Sequence, residues 1–337
     1  MKLNINKSKC GIAVIVYLGG CLCLFPTSLT AQDSTGAVET AVPGKTKPVK
    51  NTFQSIWIID NQTVLVPVKK TFEMDIQHRF GTVEKGYEDF WGFFAPSNIR
   101  LGFSYVPVNK LNVGIGVTKT TAAVIPEASV SDVSGPLWDG SLKYSFFTQT
   151  KGRFPVSLTY YGNISYNTKK DEEHDIYINN SDRLTYFNQI IIARKVTEKL
   201  SVQVAPSLSH HNVVNGYYVK LNDSTLNTEP DMKFDHFAIA LSARYKLTNV
   251  TSVMINYDQP ITKHVSNNPN PSLSFGLEFN TSSHSFQVFA TNYYYLVPQI
   301  NNLYNSNSPF KYTDATGTEV KGGKFLIGFN ITRLWNY

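Results

Sequence analysis

The side chains that could meet one another, or a passing solute, recur along the chain as Glu73, Asp75, Arg79, Arg100, Asp139, Lys143, Arg183, Arg244, Asp258 and Glu278. They fall on the polar side of segments in which apolar and polar residues alternate. Mixed charges sharing one face can form a polar pathway that orients a solute. They can equally form a mutually neutralising interior that fills and stiffens a narrow barrel, because semi-buried charges need partners. Both readings stay open on residue type alone.

Histidine offers two further constellations. His210 and His211 are adjacent, with Asp235 and His236 beyond the next loop, and imidazole with carboxylate suits Zn or Ni. Neighbours on a strand point to opposite faces, however, so no metal is assigned. Ser209, His211 and Asp235 could be set out as nucleophile, base and acid. A chain this rich in serine supplies such triples by accident. No catalytic residue and no cofactor is assigned.

The elements that must position these groups are strands. Phe154, Val156, Leu158, Tyr160, Gly162, Ile164 and Tyr166 alternate with Pro155, Ser157, Thr159, Tyr161, Asn163 and Ser165. Similar alternation starts at Leu200, Phe237, Leu273 and Phe325, and no helix-period apolar stripe of useful length is evident. Short turns near 108–110, 150–153, 197–199, 248–249 and 281–283 take turns with long polar connections near 81–97, 120–135, 169–180, 212–233, 260–271 and 298–323.

Counting from Thr71 gives about twelve strands of about ten residues, long enough to cross a bilayer at a tilt. The expected fold is therefore all-β: a transmembrane up-and-down antiparallel barrel of about 12 strands over residues 70–337. The count becomes about 14 if the preceding segment adds a hairpin about Asp60-Asn61. Aromatics near strand ends (Tyr105, Trp138, Tyr166, Tyr245, Tyr257, Trp335 and Tyr337) are expected at the two membrane interfaces. Arg333 is close enough to the chain end to snorkel into headgroups. Pro206 removes one ladder bond and is expected at a bulge or near a rim.

Ahead of the barrel, Lys2, Lys7 and Lys9 precede an apolar run from Gly11 to Phe25, and Leu29-Thr30-Ala31 offers a cleavage site. Residues 1–31 read as a signal peptide, with a lipoprotein cut at Cys21 as the minor alternative. All three cysteines lie in this leader, leaving no disulfide framework downstream. Residues 32–51 read as a flexible linker and 52–69 as an extended segment that plugs the barrel or covers its mouth.

Composition agrees: 13% aromatic residues against 17% charged, with a net charge of +6 and no dense basic run beyond KTKPVK, which argues against a nucleic-acid partner.

The pieces NTFQSIWIIDNQTV (51–64), HRFG (78–81), SNIRLGFSY (97–105), VGIGV (113–117), SDRLTYFNQIIIARK (181–195), RYKLT (244–248), SLSFGLEF (272–279), HSFQVFATN (284–292) and FLIGFNITR (325–333) carry a resemblance. From Asn51 onward the chain resembles a family of outer-membrane β-barrel proteins of Gram-negative bacteria, described as a domain of unknown function. The resemblance implies an outer-membrane location, lipid neighbours and a terminal strand read by the barrel-assembly machinery. It brings no substrate and no catalytic residues. The function expected is passage or binding of a small solute through a polar lumen. The alternatives are a lipid-acting hydrolase, or a structural or adhesion barrel whose long loops bind a partner.

Overall fold

The computed structural model describes residues 47–50, 52–119, 136–169, 177–214, 216–222, 225–265, 268–313, 317 and 319–336. The leader, most of the linker and Tyr337 lie outside the described residues.

Twelve strands form one closed antiparallel barrel. In chain order these are β1 (Thr71–Thr82), β2 (Asn98–Val108), β3 (Leu111–Lys119), β4 (Leu137–Phe147), β5 (Ser157–Asn167) and β6 (Leu184–Lys195). There follow β7 (Leu200–His211), β8 (Asp235–Lys246), β9 (Thr251–Pro260), β10 (Ser272–Asn280), β11 (His284–Thr291) and β12 (Leu326–Asn336). Each strand pairs with its sequence neighbours. β12 closes on β1, with Asn336 opposite Thr71 and Ile331 opposite Ile76. Closure leaves no free edge, the condition for a sheet to sit in hydrocarbon, where unpaired backbone groups find no water. An even strand count brings Thr71 and Asn336 together at the rim that carries the short turns.

Burial is inverted relative to a water-soluble sheet. Along β1 the enclosed residues are Thr71, Glu73, Asp75, Gln77, Arg79 and Gly81, while Phe72, Met74, Ile76, His78 and Phe80 face out. Arg79 and Glu278 are each only 1% exposed, whereas Ile115 and Phe275 are 53% and 50% exposed. A water-facing surface of isoleucine and phenylalanine around a charged interior would be paid for twice, once in apolar exposure and once in desolvated charge. Surrounded by lipid, the apolar face carries no such cost. Leu326 and Leu334, apolar members of the inward phase of β12, are respectively fully buried and half-buried.

Pro206 departs from expectation. It stands in the middle of β7 opposite Ile239 of β8. Towards β6, Gln189 pairs with Ser207 and Ile192 with Val204, so the register is unchanged across the proline and there is no bulge. The missing N–H is absorbed as a local gap in one ladder, away from both rims.

Between β11 and β12 the chain forms a short helix, α1 (Pro298–Tyr304), inside what alternation reads as one long connection. A proline at its first turn suits the fixed φ of that residue.

Candidate functional site

The barrel interior is occupied by its own N-terminal segment. Trp57–Ile58 pairs with Asn61–Gln62 in a two-stranded hairpin, separate from the wall sheet, so it adds no strand to the barrel. Its bend puts Ile59 at φ 54, a region that β-branched residues rarely enter. Two wall amides hold it there: the Ile59 N–H donates to Gln287 Oε1 (3.2 Å), and Asn330 Nδ2 donates to the Ile59 carbonyl (2.8 Å).

The wall charges meet the hairpin in levels. At the short-turn end, Arg244 donates to Gln54 Oε1 and, through Nε, to Glu278 Oε1 (2.6 Å). Midway, Lys143 Nζ donates to Gln62 Oε1 (2.9 Å) and Trp57 Nε1 to Asp75 Oδ1 (3.3 Å). Nearer the long-loop end, Asn61 Nδ2 donates to Asp258 Oδ1 (2.8 Å). At the tip, Arg79 pairs with Asp60 at 2.8 Å, and the other Asp60 oxygen accepts from Ser274 and Thr291 at 2.9 Å each. The Arg79 guanidinium also lies 4.5 Å from the ring centre of Phe289.

One cation works within the wall instead. Arg100 on β2 bridges Asp75 on β1 (2.9 Å) and Asp139 on β4 (2.8 Å). To reach Asp139 it crosses β3 at Gly116, where an added Cβ would stand 2.3 Å from the guanidinium. Two carboxylates on one planar cation is a geometry that lysine would not reproduce. Glu73 is buried, and neither of its oxygens has a hydrogen-bond partner.

The long-loop end is built differently. Gln299 of α1 donates to Asn163 Oδ1 (2.9 Å), Ser165 Oγ (3.1 Å) and Thr185 Oγ1 (3.2 Å). Val297, Ile300, Leu303 and Tyr304 pack with Leu137, Val214 and Met232. Burial pushes the Tyr295 hydroxyl up to about 12, and raises Tyr304 further still. Both phenols therefore stay neutral.

Of the residues singled out from sequence, Glu73, Asp75, Arg79, Arg100, Asp139, Lys143, Arg244, Asp258 and Glu278 are all buried inside the barrel. Arg183 is the exception. It lies in a 3-10 turn ahead of β6, donates to the Asn167 and Lys169 carbonyls and covers the Tyr177 ring. The strand starts only at Leu184, so Arg183 lies beyond the segment to which alternation applies.

Tyr105, Tyr166, Tyr245, Tyr257, Trp138 and Trp335 all take the outward phase of their strands. Arg333 also faces out, 4.7 Å from the Trp335 ring centre. The serine–histidine–aspartate set is split across the wall. Ser209 and His211 are enclosed, whereas Asp235 is exposed and accepts from His210 at 2.8 Å. His211 instead contacts the Gln299 carbonyl, and His236 contacts His264.

Two sets of partners are not evident from residue type: Asp60 reads only as a turn residue, and the α1 amides read as loop. A signal for α1 was present in Pro298 followed by Ile300 and Leu303 at helical spacing.

A cavity of about 370 Å³ opens at the short-turn rim. It lies between the hairpin base (Phe53, Gln54, Ile56) and the turns at 249–250 and 280–285.

A closed wall with polar interior and apolar exterior defines an integral membrane β-barrel of the outer-membrane type. More particularly, the chain belongs to the family described as "Membrane bound beta barrel domain (DUF5777)", whose profile matches residues 53–335. No curated protein matches the sequence. Among solved structures the chain is similar to the KdgM porin (9% identity, 79% of this chain and 99% of that one, TM-score 0.40). It is also similar to the NanC porin (8%, 79% and 99%, TM-score 0.42) and to an outer membrane channel from Pseudomonas putida F1 (10%, 80% and 97%, TM-score 0.43).

Proposed function

We propose that this protein is a gated outer-membrane channel for a small polar solute, and that the N-terminal hairpin is its gate. The observation that carries the reading is how the hairpin enters. Both of its stems lie at the short-turn rim: the Val49 N–H donates to the Gln149 carbonyl (2.7 Å) and the Lys70 N–H to the Val106 carbonyl (2.8 Å). A segment anchored at one rim can withdraw without threading, by exchanging hydrogen bonds for water and giving up the apolar contacts of Phe53, Ile58, Ile59 and Val64 with the wall.

What it would leave behind is a wall still lined by Arg79, Lys143, Arg244, Asp258 and Glu278, a surface that holds water. Interiors built only for rigidity can be filled by wall side chains, which need no removable insert. The short-turn rim is the periplasmic one in barrels of this type, so the gate would respond from the cell side. The role is non-enzymatic, a reading supported by the separation of Asp235 from Ser209 and His211.

Arg79→Ala with Arg244→Ala unfastens both ends of the hairpin and leaves the Asp75–Arg100–Asp139 chain in place. Proteoliposomes carrying this variant are expected to swell faster than those with the intact chain in isosmotic sugars or amino acids. Equal swelling in neutral, cationic and anionic solutes alike would contradict the gate.

A further inference from the structure

The connection between β1 and β2 carries an aromatic cluster that the lumen does not use. Tyr87, Phe90, Trp91, Phe93 and Phe94 are all exposed, Tyr87 and Phe94 at 82% and 81%. Their rings contact one another: Phe90 lies 5.4 Å from Trp91, 5.9 Å from Phe93 and 5.6 Å from Phe94, and Tyr87 meets Trp91 edge-on at 6.2 Å. A contiguous apolar knob of this kind, left in water, is costly, and such patches mark interaction sites.

The backbone is built to present it. Phe90 and Trp91 sit at φ 53 and 54, left-handed conformations that bulky side chains seldom adopt. They are fixed by the Trp91 N–H donating to the Gly86 carbonyl (2.6 Å) and the Gly92 N–H to Asp89 Oδ1 (2.9 Å). Gly92, at φ 84, presses on the wall so closely that a Cβ there would stand 2.2 Å from the Gly81 carbonyl oxygen. Two strained aromatics in a row persist only where surrounding contacts over-determine them, and strain of this kind collects at functional segments.

Its direction identifies the occupant. Phe93 packs on Phe80 with ring centres 4.6 Å apart. Phe80 belongs to the outward phase of β1 and lies beside His78 and Phe329, also on the outer face. The knob therefore leans over the outside of the wall and continues its lipid-facing band, rather than covering the mouth. Tyrosine and tryptophan, with an apolar ring and a polar handle, suit the headgroup boundary.

We infer that the Tyr87–Phe94 knob is a membrane anchor, inserted into the headgroup–acyl boundary of the leaflet at the long-loop rim. This rests on the membrane-bound wall and is independent of the gating reading. The anchor sets the depth and tilt of the barrel at β1 and β2, where no other described loop of that rim carries such a cluster.

The test compares intact protein with Trp91→Phe in phosphatidylcholine vesicles, so that the difference in emission isolates Trp91. Bromine on the upper part of the lipid chains is expected to quench that difference signal at least about twofold, while aqueous iodide leaves it nearly unchanged. Two results would overturn the anchor. Full access to iodide with no bromolipid quenching would place the knob in water. Protection from both quenchers, with copies cross-linking through Cys introduced at Phe94, would assign it to a protein partner. Phe94 is largely exposed and Trp91→Phe keeps a ring at a half-exposed position, so both substitutions stay outside the barrel core.

Discussion

The hairpin tip at Asp60 and the helix residue Leu303 reach into the same lumen from opposite ends, and their surroundings share almost nothing. Asp60 is held by a guanidinium and two hydroxyls. Leu303 is fully buried in an apolar cluster, and the helix around it is tied to the wall by the neutral amide of Gln299. The tip's polar contacts exchange their partners for water at modest net cost, because each bond lost inside is replaced outside. The apolar contacts, those of Phe53, Ile58, Ile59 and Val64 in the hairpin segment and of Val297, Ile300, Leu303 and Tyr304 in the helix, are lost outright on withdrawal. The difference makes the hairpin tip the more readily released of the two, and the proposed gate requires that the helix leave a path beside it.

Breaking the wall itself should have the largest effect. Arg100→Met strands Asp75 and Asp139 as neighbouring buried carboxylates, and loss of one partner from a buried charge cluster costs about 3–5 kcal/mol. The denaturant midpoint, followed by circular dichroism in detergent, should fall accordingly; an unchanged midpoint would remove Arg100 as the wall's tie.

Next come paired substitutions that separate the closures. Arg79→Ala should loosen the hairpin by about 2 kcal/mol, read as a rise of roughly thirtyfold in amide exchange at 57–63. Leu303→Ala should cost about 2–3 kcal/mol and speed exchange at 298–304 instead. Exchange rising at both ends in either variant would show one coupled element rather than two.

The smallest effect is a pH dependence confined to the long-loop end. The Lys233 N–H donates to His264 Nδ1 (2.9 Å), which leaves His264 Nε2 to donate to His236 Nδ1 (2.9 Å). Burial first, and Lys233 second, lower the His264 pKa, against a smaller opposing pull from Asp231. A histidine held neutral in the folded state binds its proton more readily when released. The loop's stability should be complete above about pH 6.5 and decline as pH falls towards the lowered value. Exchange at 261–265 should quicken on acidification in the intact chain and do so less steeply in His264→Gln, where the neighbouring His236 remains.

Much of this was legible in the alternation of residue types. Period-2 patterns and the rhythm of short and long connections carry the strand count and the polar phase of the wall, since both are local. Partner choice was not legible. Whether Arg79 meets Asp60 or a wall carboxylate depends on a hairpin that re-enters the barrel, and Asn61 meets Asp258 only through tertiary register. Arg183 differs for the opposite reason, because it stands in a 3-10 turn just ahead of β6, where strand alternation does not apply. The helix α1 was hidden by its length: seven residues, most of them amides or apolar, look like any polar loop.

The account stands on the hairpin being the removable barrier in an otherwise conductive cylinder. Single-channel recording in planar bilayers, comparing the intact chain with one lacking residues 52–64, tests it most directly. Long quiet intervals with rare openings are expected for the intact chain, and a steady ohmic conductance for the deletion. A deletion barrel that folds and inserts yet stays as silent as the intact one would contradict it.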